Sequence, residues 1–143
     1  MNVQGRIWLI TGLMAAGKSS VAQALAERLS PSVHIRGDLF RRMIVNGREE
    51  MSPTPSAGAV SQLELRYNSA WRAASAYADA GFHVALQDVV LGRYLRDAAE
   101  VLAQYNLSIV VLTPSYETLA ARDRDRPKTA YGAGWTAGRT ALN

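Results

Sequence analysis

An apolar strand, a small-residue turn ending in Gly-Lys-Ser, and an amphipathic helix follow one another near the start of the chain, and this succession constrains the fold more than any other feature. Ile7, Trp8, Leu9 and Ile10 run unbroken between Gly5 and Gly12, which predicts a short strand over 6–11. Over 19–29, Val21, Leu25 and Leu29 fall four apart with Ala22 and Ala26 beside them and Gln23 and Glu27 facing away, which predicts a helix. Between the two lie Gly12, Leu13, Met14, Ala15, Ala16, Gly17, Lys18 and Ser19, with Ser20 next, in the pattern G-x-x-x-x-G-K-[ST] and in the strand-before, helix-after context that the pattern requires. Glycines there let the main chain wrap a phosphate, and successive N–H groups and the helix N-terminus supply positive potential. Lys18 suits the β- and γ-oxygens, and the Ser19 hydroxyl suits Mg²⁺. The alternative is a glycine-rich turn that binds nothing; the satisfied context favours a nucleoside triphosphate, ATP first.

The rest of the chain repeats the alternation of strand and helix. Pro31 stops the first helix, and 33–35 is a second apolar segment ending in Arg36-Gly37-Asp38. From Asp38, an N-cap residue type, a short helix over 39–45 is expected to end at Asn46-Gly47, and the prolines at 53 and 55 mark a loop. Val60, Leu63, Tyr67, Ala70, Trp71, Ala74, Tyr77 and Ala78 recur at steps of three and four, the strongest helical signal present, closed by Gly81. The spacing predicts core packing for the aromatic residues between Tyr67 and Tyr77. A third strand over 82–87 ends at Asp88, a helix over 94–105 follows, and 107–112 is a fourth strand. Ser115 can cap a last helix reaching Asp123, and from Arg124 onward the chain is rich in Gly, Arg, Pro and Lys without apolar periodicity.

Near-continuous apolar strands separated by helices predict an α/β fold, a mostly parallel sheet covered on both faces in three layers. Ligands of such sheets sit beyond the carboxyl ends of the strands, where Gly12, Ser19, Asp38, Asp88 and Thr113 fall. The 143 residues fit one domain, and 48% hydrophobic against 20% charged residues excludes a wholly disordered chain. No stretch approaches the roughly 20 apolar residues of a membrane span, so a soluble cytoplasmic protein with no membrane partner is the expectation. With 0 cysteines and 2 histidines, thiolate sites, Cys nucleophiles and His-rich metal sites drop out. The formal charge of +4 suits phosphate ligands and equally a solvated basic surface.

Three further groups carry candidate chemistry. Asp38, after the second strand, is placed to orient or deprotonate an acceptor hydroxyl, with Arg41 and Arg42 a helical turn later able to grip the acceptor; a capping aspartate with solvated arginines is the other reading. Asp88, at the end of the third strand, is where a carboxylate would hold Mg²⁺ directly or through water, or else a turn residue. Arg122, Arg124, Arg126 and Lys128 precede a glycine-bearing stretch and suit a lid over 122–134 that closes on the triphosphate, Arg122 and Arg126 first. Asp123 and Asp125 interleave with them, so a self-paired charge run stays open. His34 and His83 read as packed or surface histidines.

The segments GLMAAGKSS, HIRGDLFRRMI, LQDVVLG and RPKTAYG resemble those of the small P-loop kinases and phosphotransferases, the group that includes shikimate kinase, gluconate kinase and chloramphenicol phosphotransferase, and more closely the AAA-type ATP-binding phosphotransferase-like proteins. The resemblance implies Lys18 and Ser19 at the phosphates and magnesium, Asp38 as the base, Asp88 near the metal, and Arg122 and Arg126 on the lid. It also implies a fifth strand and a final helix; 137–143 carries no apolar strand pattern, so a C-terminally short single domain with a tail over 135–143 is expected, either a truncated protein or a shortened relative. A homodimer would cover the sheet edge thus left. The expected activity is transfer of the γ-phosphate of ATP, with Mg²⁺, to a small hydroxylated molecule entering near Asp38, Arg41 and the 51–59 loop. The rivals are a nucleotide-binding module without transfer activity and, ranked below it, a nucleic-acid kinase or binder, since no dense basic tract or stacking platform is present.

Overall fold

In the computed structural model, residues 3–13 and 17–113 are described. Met14, Ala15 and Ala16, the expected last helix, the 122–134 lid with Arg122 and Arg126, and the tail lie outside the described residues. The element order is β1 (Ile7–Gly12), α1 (Lys18–Glu27), β2 (Ser32–Arg36), α2 (Asp38–Arg42), α3 (Ala57–Asp79), β3 (His83–Gln87), α4 (Arg93–Leu102), a 3-10 turn (Ala103–Tyr105) and β4 (Ser108–Leu112). The strands form one all-parallel sheet in the order β2-β3-β1-β4. The α/β class and four strands read from the sequence are those found.

Alternation along the inner strands divides the core into two layers, because successive side chains of a strand point to opposite faces. Ile7, Leu9, Val84 and Leu86 meet Tyr67, Ala70, Trp71, Ala74 and Ala78 of α3 and Ala98 and Leu102 of α4 on one face. Ile10 and Ala85 meet Ala22 and Ala26 of α1 on the other. Alanines spaced four apart on α1 and α3 let those helices lie close to the sheet. Adjacent β1 and β3 therefore send their following helices, α1 and α4, to opposite faces. Such a divergence leaves a crevice at the carboxyl ends of the two strands, the place where open α/β sheets bind ligands.

The differences from the sequence reading have local causes. The outer strands are only partly covered: β2 holds no buried residue, and Ile109 and Val111 of β4 are 38% and 50% exposed. Covering on both faces thus holds for β1 and β3 alone among the described strands, since these two have neighbours on each side. Tyr77, at the edge of the Ala70, Ala74 and Ala78 stripe near the end of α3, is exposed and rests edge-on against Phe82. The expected helix over 94–105 tightens into a 3-10 turn at Ala103 and ends on Asn106 in the left-handed conformation. None of the helices among the described residues is long and apolar enough to cross a membrane.

Candidate functional site

β1 ends in Gly12 at φ 150°, and α1 starts behind Gly17 at φ 90°, both inside the left-handed region that glycine tolerates. A Cβ on Gly12 would also sit 2.7 Å from the Leu112 carbonyl oxygen, so glycine is required there twice over. Lys18 opens α1, its Nζ donating to the Leu13 carbonyl at 3.0 Å. Ser19 stands exposed on the same first turn.

The neighbouring strand ends are tied to one another by main-chain and hydroxyl bonds. Asp88 N–H donates to the Ile10 carbonyl at 3.1 Å, and Gly37 N–H to the Gln87 carbonyl at 2.9 Å. Thr11 is buried and serves both ways: its hydroxyl donates to the Val90 carbonyl and accepts from the Val90 N–H. Asp38 and Asp88 are therefore presented on a rigid frame, one at the end of β2 and one at the end of β3.

Asp38 does not cap α2. Gly37 is the flanking residue, and the Asp38 carboxylate, inside the first turn, pairs with Arg41 Nε at 3.3 Å and Arg42 Nε at 2.6 Å. Arg41 also reaches Glu50 Oε2 at 2.6 Å, which fastens the loop after α2. That loop is pinned further: Gln62 donates to the Gly47 carbonyl and accepts from the Glu49 N–H, and Ser56 caps α3 while donating to Glu49. Partial burial opposes ionisation of Asp38, but the Arg41 and Arg66 guanidiniums beside it prevail and hold its carboxyl below the ordinary value of 3.8. A lowered folded value means that ionised Asp38 favours the fold above pH 3.8 and that this contribution disappears as pH falls through the folded value. The thermal stability gap between the native chain and Asp38→Asn is accordingly expected at neutral pH and should close on acidification below that point; a gap widening toward acid would refute the pairing.

The sequence reading missed Arg66. It rises from α3 between the two carboxylates, ion-paired to Asp88 Oδ1 and 3.7 Å from Asp38 Oδ1, with its guanidinium over the Tyr67 ring. The signal that could have found it is position: Arg66 falls three after Leu63 and four before Ala70, a charge on the stripe read as core. Tyr67 stays a neutral phenol, its pKa raised by burial and by the Asp88 charge, and donates to the Val89 carbonyl at 2.6 Å.

Asp88 is 4% exposed, and burial raises its carboxyl despite the opposing Arg66. Oδ1 accepts from Arg66 and from the Val89 N–H, while Oδ2 has no hydrogen-bond partner among the described residues and rests against Gly37. A Cβ on Gly37 would overlap that carboxylate, although the Gly37 backbone, at φ −59°, suits any residue. Gly37→Ala is thus expected to destabilise by about 1–3 kcal/mol, the cost of overpacking. A gain of about 0.4–1 kcal/mol, the usual result of Gly→Ala at an unstrained position, would show that Asp88 yields freely. Chemical denaturation decides between the signs.

His34 and His83 are structural, as read. His34 bridges Gln23 of α1 and Gln87 of β3, and burial lowers its pKa; His83 Nδ1 accepts from the Arg6 N–H at 3.2 Å. No group of three or more His, Asp or Glu that could hold a metal occurs among the described residues. The exposed Ser19 hydroxyl is of a ligand type that Mg²⁺ accepts. The Asp88 carboxylate fits it poorly, since one oxygen is engaged twice and the other is enclosed.

The chain matches the model of a family described as AAA domain over residues 7–137. A search of the curated proteins finds none that matches. Among solved structures it is similar to the APS kinase CysC of Mycobacterium tuberculosis, in complex with AMPPNP and APS, with a TM-score of 0.69 and 20% identity over 93% of this chain and 83% of that one. It is similar to a chain of the Pnkp1/Rnl/Hen1 RNA repair complex, with a TM-score of 0.68 and 21% identity, covering 88% of this chain and spanning only 39% of that one. A gluconokinase from Sinorhizobium meliloti 1021 shows a TM-score of 0.57 and 22% identity over 96% of this chain and 71% of its own. At these identities the likeness establishes the fold. With the family model covering most of its length, and β1 followed through Gly12 and Gly17 by α1, the chain belongs to the AAA domain family, and its fold is like that of the APS kinase and gluconokinase structures.

Proposed function

We propose that the chain is an ATP- and Mg²⁺-dependent phosphotransferase whose acceptor is a hydroxyl of a small molecule. The observation that carries this reading is that Gly12 and Gly17 to Ser19 after β1 and Asp38 after β2 lie at the same carboxyl edge of one parallel sheet, with the end of β3 between them. The turn's amides and Lys18 would hold the triphosphate, and bound Mg²⁺ would neutralise its β- and γ-oxygens. Asp38 would take the acceptor's hydroxyl proton as the acceptor oxygen bonds the γ-phosphorus and the bond to the ADP oxygen breaks. Arg41 would orient the acceptor from its station beside Asp38, and Arg122 and Arg126 are proposed for closure over the phosphates.

Charge supports a small acceptor. Around Asp38, among the described residues, Arg41, Arg42, Arg48 and Arg66 stand against Asp38, Glu50 and Asp88, an excess of one cation on the acceptor side. A polyanion gains little from such a site. A nucleic-acid acceptor is the second reading, favoured by the likeness to a chain of an RNA repair complex. Isothermal titration with MgATP, followed by ATP consumption across a panel of polyols, aminoglycans and 5′-hydroxyl oligonucleotides, tests both. Binding with turnover on a small hydroxyl compound supports the proposal; binding without turnover on any acceptor replaces it with a nucleotide-binding module.

A further inference from the structure

From the arrangement around Asp88 we infer that Arg66 is a positioning residue, set by Asp88 in front of Asp38 so as to align that carboxylate with the acceptor, and that Asp88 serves Arg66 rather than the nucleotide's metal. The inference rests on the reading of Asp38 as the base at the acceptor.

Three observations lead to it. Arg66 is the one described side chain that contacts both strand-end carboxylates, and it is nearly enclosed, 12% exposed. An arginine so placed has few rotamers, so its bond to Asp88 fixes where its guanidinium meets Asp38. Secondly, the pair's remaining polar atoms are committed to enclosure: Arg66 Nε and Asp88 Oδ2 are buried without hydrogen-bond partners among the described residues. Leaving two charged groups incompletely satisfied is costly, and a fold tolerates such a cost at a site where the geometry has a use. Thirdly, the support continues outward. Tyr67 carries the guanidinium over its ring, is fastened to the Val89 carbonyl, and stacks on Trp71 with ring centres 5.7 Å apart. The α3 core therefore sets the height of Arg66, and Asp88 sets its direction.

Arg41 and Arg42, the other cations on Asp38, lie on the short α2 and share their charge with Glu50 and solvent; their side chains are 27% and 65% exposed. Neither is held from two sides by buried partners. Alignment of Asp38 is thus left to Arg66.

The test compares the native chain with Ser19→Ala, Asp88→Asn, Arg66→Gln, Arg66→Lys and the Asp88→Asn/Arg66→Gln double variant. ATP binding is measured calorimetrically with Mg²⁺ and with a chelator, and turnover is measured with water as acceptor and with any hydroxyl compound found to be phosphorylated. The ratio of ATP affinities with and without Mg²⁺ is expected to fall in Ser19→Ala and to be preserved in Asp88→Asn, within less than the roughly tenfold loss that removing even an outer partner of a metal causes. Turnover by folded protein at saturating MgATP is expected to fall roughly 10- to 100-fold in both Asp88→Asn and Arg66→Gln, no further in the double variant, and to recover in part in Arg66→Lys. A purely structural pair would lower the melting temperature without this shared loss of turnover. Loss of the Mg²⁺ ratio in Asp88→Asn, or single losses that multiply in the double variant, would overturn the inference. Failure of the native chain to bind ATP at all would instead sink the underlying functional reading.

Discussion

Lys18→Ala is expected to weaken MgATP binding by about 10- to 100-fold and to abolish detectable phosphoryl transfer. The magnitude follows from the removal of a charged hydrogen-bond donor, worth about 1.5–3 kcal/mol, at tenfold per 1.4 kcal/mol. Transfer should suffer more than binding, since charge accumulates on the phosphate oxygens as the bond to ADP breaks. Lys18 is buried at the start of α1 and donates to the Leu13 carbonyl, so its cost to stability is read separately from its effect on binding. Calorimetric titration and a melting curve on the same preparation measure both halves. Unchanged ATP affinity in a folded variant would remove the phosphate-loop assignment, and with it the enzyme proposed.

Trp71→Ala is expected to cost about 3–5 kcal/mol, the range for deleting a large buried aromatic. Trp71 is 4% exposed and lies in the layer between α3 and the sheet, against Tyr67. A loss of that size corresponds to a fall in melting temperature of roughly 10 °C or more for a domain of this length. Its indole N–H is buried without a partner among the described residues, so Trp71→Phe should cost far less: some area is lost, but an unsatisfied donor goes with it. Thermal denaturation of the two variants beside the native chain gives the comparison. If Trp71→Phe destabilises as much as Trp71→Ala, the indole nitrogen has a partner that the described contacts lack.

What could be read in the sequence is what short-range pattern encodes. The β1 run and the three- and four-residue recurrence along α3 are local patterns, and both elements stand where the periodicity places them, with α1 opening at Lys18 after the glycine-lysine-serine motif. Asp38 was located at the end of β2, but its capping alternative fails because Arg41 and Arg42 take its oxygens within the first turn. Arg66 escaped notice because its partners are 28 and 22 positions away in the chain, and a sequence pattern carries no distance between them. Gly37 escaped for the same reason: its backbone is ordinary, and only the Asp88 carboxylate packed against it makes a side chain there expensive.

The sequence by itself determined the parallel α/β class and the strand-to-helix step at the glycine-lysine-serine motif, since apolar period and glycine spacing act on neighbouring residues whatever the rest of the chain does. Only the tertiary structure decided what surrounds Asp38 and Asp88. The order β2-β3-β1-β4 sets the β3 end next to the end of β1 and the β2 end on the far side of β3, and the packing of α3 on that sheet lowers Arg66 between Asp38 and Asp88. Charges so far apart along the chain acquire a common function only when burial of the apolar layers fixes the distances over which they act.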